Sequence, residues 1–152
     1  MTDVFTLLKA DHDRHREMLA KIDETHGDSP ERRELFEAFR IEVSAHANAE
    51  EQSLYAVMLG DADLQDKGRH SVAEHKEIDD FLEELQDTDM SSPGWLATFR
   101  KMKHRYEHHI DEEEDEIFKA AEEALSRSCE NDLGKKFAKR KTAEKAEINA
   151  AS

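Results

Sequence analysis

The chain has 152 residues, with 22 basic and 37 acidic side chains, a formal net charge of −15 and a hydrophobic share of 37%. That length suits one domain of ordinary size, and the acidic excess counts against nucleic-acid or anionic-membrane partners, which would repel it. The single cysteine, Cys129, excludes an intramolecular disulfide and any zinc site built on cysteine pairs.

The N-terminus lacks the long apolar run of a signal peptide or membrane span, so a cytoplasmic protein is expected. Breakers at Gly27/Pro30, Gly60/Gly68, Pro93/Gly94 and Gly134 divide the chain into four long segments and a tail. The first runs from about Asp3 to Thr25. The second opens on Ser29-Pro30-Glu31, an N-cap serine followed by proline and an acid in the first turn. The third lies roughly between His70 and Asp87, and the fourth repeats the Ser-Pro start at Ser92-Pro93 and continues to about Leu125. Apolar residues recur at spacings of three and four, the helical period, as in Leu35, Phe39, Val43, Leu54, Val57 and in Trp95, Phe99, Met102, Tyr106, Ile117. Short loops between such segments predict an all-α, antiparallel up-down four-helix bundle over residues 1–128. Residues 129–152 form a basic tail, in which Leu133, Phe137 and Ile148 offer a weak apolar edge to a short fifth helix. That tail reads as a frayed helix resting on the acidic bundle, or as a docking surface for a protein partner the sequence does not identify.

The two halves align at an offset of 63. His46-Ala-Asn-Ala-Glu50-Glu51 falls on His109-Ile-Asp-Glu-Glu113-Glu114, and Asp11-His12 falls on Glu74-His75. With about 100° per residue, His46, Glu50, His109 and Glu113 lie within the apolar stripes of their helices, and His75 lies beside Val72, Ile78 and Leu82. By the same count Glu51 points to solvent. His12 and His15 share one stripe; the offset matches His12 to His75 and His15 to the core residue Ile78, which favours His12. His104 and His108 fall on the outer face, and His26 and His70 read as loop or surface residues. An unpaired carboxylate in an apolar core is costly unless it is paired, protonated or bound to metal. Four imidazoles and two carboxylates at i, i+4 spacing therefore form a candidate dinuclear metal site: His12, His46, Glu50, His75, His109 and Glu113. The bland alternative is a set of hydrogen-bonded core histidines with protonated glutamates.

At these residues the sequence resembles the hemerythrin-like family of HHE cation-binding domains, over about residues 3–125. The resemblance implies a non-haem centre of two iron ions, bridged by both glutamates and by an oxo or hydroxo group. It also implies small diatomic or peroxidic ligands: O2, H2O2 or NO. Oxygen-carrying hemerythrins have a further histidine one turn before the position of His75; here that position is Ser71. Six protein ligands rather than seven favour redox processing, with catalase-like peroxide decomposition as one form, over reversible O2 binding. A non-catalytic iron-binding or sensing module acting through a partner is the alternative. Tyr55 and Tyr106 flank the ligand helices as core residues, with phenolate coordination as a second option. A ferritin-like carboxylate oxidase is disfavoured, because none of the nine histidines has glutamate three positions before it.

Overall fold

The computed structural model describes residues 2–151. Among them there is no strand and no helix long and apolar enough to cross a membrane. Helix α1 spans Val4–Asp23, and its first turn is capped by Asp3, whose carboxylate accepts from the Thr6 backbone. Helix α2 begins at Pro30 behind the Ser29 cap and runs as an α-helix over Pro30–Glu50. It continues through one π-helical turn, Glu51–Tyr55, into a last α turn, Ala56–Leu59. Helix α3 is Gln65–Asp87. Helix α4 repeats the design of α2: a Ser92 cap, proline first, an α-helix over Pro93–Glu112, a π turn at Glu113–Ile117 and an α-helical end, Phe118–Ala124.

The C-terminal residues form helix α5, Arg127–Ala151, 25 residues long and packed on α1 and α2. It is therefore a full element rather than the short or frayed one expected. Gly134, read as a breaker, lies inside it. A Cβ at Gly134 would collide with the Thr2 carbonyl oxygen and stand 3.1 Å from the Val4 nitrogen. The glycine is there for close backbone approach to the start of α1. Gly68 likewise lies within α3, so that helix starts five residues before His70.

Two apolar clusters fill the bundle. Val4, Phe5, Leu8, Leu54, Tyr55, Met58, Phe118 and Phe137 pack at one end. Leu19, Phe36, Phe39, Leu82, Trp95, Phe99 and Met102 pack at the other. A buried polar layer formed by His12, His46, Glu50, His75, His109 and Glu113 touches both clusters: His12 stacks on Phe118 of the first, and His109 lies beside Tyr106 of the second. The π turns explain one departure from the expected stripe. Each inserts an extra residue and shifts the phase of the turn beyond it, so Val57 is exposed while Tyr55 and Met58 are buried.

Candidate metal centre

All six predicted residues are buried and all six come together. One donor atom from each of His12, His46 and Glu50 lies within 4.8 Å of the others, and the same holds for His75, His109 and Glu113. The two groups interlock through their carboxylates. Glu113 Oε1 is 3.3 Å from Nε2 of both His12 and His109. Glu50 Oε1 is 3.1 Å from His75 Nε2 and 3.8 Å from His46 Nε2. Each glutamate thus faces one imidazole from each half of the chain.

The outer nitrogens are all occupied. His12 Nδ1 is 2.7 Å from Glu114, His46 Nδ1 2.8 Å from Asp11, His75 Nδ1 2.7 Å from Glu51 and His109 Nδ1 2.7 Å from Glu74. A carboxylate on Nδ1 fixes the ring and its tautomer, leaving the Nε2 lone pair directed inward, which is how metal-ligating histidines are usually supported. These four acids obey the same offset of 63 as the histidines: Asp11 matches Glu74, and Glu51 matches Glu114. The aligned motifs contain all four, but helical angle alone gives them no role. Glu51 in particular, expected to point to solvent, reaches His75.

Inside this ring, His12 Nε2, His46 Nε2, Glu113 Oε1 and both carboxylate oxygens of Glu50 are buried without a hydrogen-bond partner. Such atoms are rare in folded proteins and costly. Cations held among the six residues would meet all of them at once, so the donor set fits a metal. His15 is just as buried, but its Nε2 is 2.8 Å from Glu42 and its Nδ1 2.7 Å from the Tyr106 hydroxyl. Both of its nitrogens are thus hydrogen-bonded, whereas His12 Nε2 is not. Tyr55 donates its hydroxyl to Glu113.

Without metal, protons take the place of cations. Burial pulls the His12 and His75 imidazoles down, yet the carboxylates beside them reverse this and raise each to about 9: Glu113 and Glu114 for His12, Glu50 and Glu51 for His75. Burial is likewise outweighed at His109, raised to about 10 by Glu113 and Glu74. His46 goes the other way, to about 3, because burial and the neighbouring His15 and His12 outweigh Asp11. Burial and the Glu113 charge raise Glu50 to about 7. Burial opposes ionisation of Glu113 too, but His109 and His12 hold it well below the usual range.

A cavity of about 10 Å³ between α2 and α3, lined by Val43, His46, His75, Ile78 and Tyr106 among others, opens onto this layer. It has about the room a single water needs. A roomier surface groove, about 570 Å³, lies near the start of α2 around Phe36, Leu85 and Met90 and contains no histidine.

Comparison with known proteins agrees with this geometry. The hemerythrin HHE cation binding domain matches residues 3–121. The fold is similar to the crystal structure of a hemerythrin HHE cation binding domain-containing protein from Mycobacterium kansasii. The identity is 28% and the TM-score 0.85, over 97% of this chain and 90% of that one. No curated protein matches the chain significantly. The duplicated histidines, the inward glutamates and the matched domain lead to one conclusion: the chain belongs to the hemerythrin family of HHE cation-binding domains.

Proposed function

We propose that the chain holds two iron ions and uses them to process small oxygen or nitrogen species, with hydrogen peroxide the first candidate. The proposed ligands are His12, His46, Glu50, His75, His109 and Glu113, with both glutamates shared between the ions. One observation carries this reading: Oε1 of each glutamate faces Nε2 atoms from both halves of the chain, while the Nδ1 of each of these four histidines is already taken by a carboxylate. Four imidazoles and two carboxylates suit iron among the borderline metals, and family membership favours it. When bound, paired iron supplies one-electron redox steps and a place for a diatomic or peroxidic ligand.

The chain's own groups set the conditions. Asp11, Glu51, Glu74 and Glu114 hold the four rings in register. Tyr55 steadies Glu113 through its hydroxyl. In the metal-free chain, burial and the Glu113 and Glu50 charges push both Tyr55 and Tyr106 well above the ordinary phenol value. The narrow cavity beside Tyr106 and His75 admits a ligand of about the size of water and excludes organic substrates. Ser71, fully buried, stands where oxygen carriers have a histidine, so this chain offers six donors rather than seven.

Metal analysis of the purified protein should find two iron ions per chain. On mixing with hydrogen peroxide, oxygen should then be released over many turnovers. A stoichiometric spectral change with no continuing oxygen release would overturn peroxide processing, and an iron content near zero would overturn the metal assignment. One contact favours a second reading, a non-catalytic sensor. Lys141 of α5 is 2.8 Å from Asp11, the carboxylate that holds His46. A sensor predicts no turnover and a change in the protease protection of α5 between metal-loaded and metal-free protein.

A further inference from the structure

The polar layer uses two His-x-x-x-Glu turns. The molecule carries two more, outside it: His70 and Glu74 on α3, and His108 and Glu112 on α4. From the sequence, His70 and His108 read as separate surface residues. In the fold they converge on the same pair of acids. His70 Nε2 is 2.6 Å from Glu112 Oε1 and 3.3 Å from Glu74 Oε1, and His108 Nε2 is 3.8 Å from Glu112 Oε2. Donor atoms of His70, Glu74 and Glu112 all lie within 4.8 Å of one another.

These separations suit a small cation. Donors about 2.0–2.1 Å from a tetrahedral zinc ion stand about 3.3 Å apart. The His70–Glu74 distance has this value, the His108–Glu112 distance needs a small rotation, and the short His70–Glu112 contact has to open slightly. The two imidazoles are 52% and 58% exposed, so an ion can reach them, whereas the Glu74 carboxylate is 4% exposed and fixed from behind. Its Oε1 is 2.7 Å from His109 Nδ1, and its Oε2 is 3.3 Å from Arg105. Arg105 is engaged chiefly with Glu77, at 2.7 Å.

We infer that His70, Glu74, His108 and Glu112 form a surface site for one divalent transition ion of the zinc class, separate from the buried centre and joined to it through Glu74. Two imidazoles and two carboxylates are a donor set that such borderline ions favour over calcium or magnesium, which take oxygen alone. The competing account is a plain polar cluster of the same side chains with no metal.

Zinc itself is the probe. The purified protein, its metal content measured first, is equilibrated with micromolar zinc and freed of excess. The wild type should gain one zinc per chain with its original metal content unchanged. The doubly substituted His70→Ala/His108→Ala protein should gain none, with the same original metal content and the same circular dichroism, since both side chains are half-exposed. No zinc gained by the wild type, an equal gain by the double variant, or zinc gained at the expense of the original metal would each overturn the inference. The buried site is counted separately, so its metal can prove other than iron without affecting this result.

Discussion

At the scale of single residues, what distinguishes this centre is the acid behind each imidazole. Removing the carboxylate from a ligating histidine's Nδ1 frees the ring to rotate and weakens its donor nitrogen, which typically costs 10–100-fold in metal affinity. Glu51→Ala and Glu114→Ala should each loosen metal by about that factor, because they occupy duplicated positions behind His75 and His12. Both side chains are partly exposed, so stability should change little. Competition against a chelator of known affinity measures the loss; unchanged affinity in both variants would mean that these contacts do not orient the rings. The six inward residues were legible because order, spacing and a common offset agree. Their supporting acids were less so. A helical wheel places Glu51 on the solvent side, but an imidazole whose Nε2 faces inward turns its Nδ1 outward. A glutamate on the rim of the next helix is therefore well placed to meet it.

At the scale of elements, glycine and proline act as punctuation where they cap helices, but not where they permit contact. Ser29-Pro30 and Ser92-Pro93 start α2 and α4 as expected, with the serine hydroxyls accepting from Arg32 and Gly94. Gly134 breaks nothing; it lets α5 pass close to the chain entering α1. Adding a methyl group there must displace backbone, and overpacking of this kind costs about 1–3 kcal/mol. Gly134→Ala should lower the unfolding midpoint accordingly and increase hydrogen exchange along α5 more than along α3. Equal protection of both helices in the variant would show that the close approach is not what seats α5. The π turns were not legible at all. A π turn is a choice of backbone hydrogen bonding imposed by the packing of neighbours, and no residue type at Glu51–Tyr55 or Glu113–Ile117 demands it. Its consequence, an exposed Val57 and a fully buried Tyr55 that reaches Glu113, emerges only in three dimensions.

At the scale of the whole molecule, the acidic excess is partly balanced from within, because the basic C-terminal helix lies on the acidic bundle. Lys141 is 2.7 Å from Glu42 and 2.8 Å from Asp11, Lys145 is 3.5 Å from Glu42, and Phe137 sets its ring edge-on to His46. Glu42 is the hub, since it also meets His15 on α1. Burial alone would raise its pKa, but His15 and Lys141 outweigh burial and hold it at about 2, against about 4.3 for a glutamate in the unfolded chain. A depressed carboxylate adds stability that is fully present above the unfolded value and is lost as pH falls through the folded one. Glu42→Gln should therefore be less stable than wild type at pH 7 by about 2 kcal/mol, the size of a hydrogen bond to a charged group. That gap should narrow as pH drops below about 4.3, because wild-type Glu42 binds its proton less readily folded than unfolded, whereas the amide does not titrate. Urea unfolding of both proteins from pH 7 down to about 3.5 measures the gap directly. A gap that stays constant across this range would mean that the ion pairs with α5 contribute no charge-dependent stability, and that apolar contacts such as Phe137 on His46 hold the fifth helix in place.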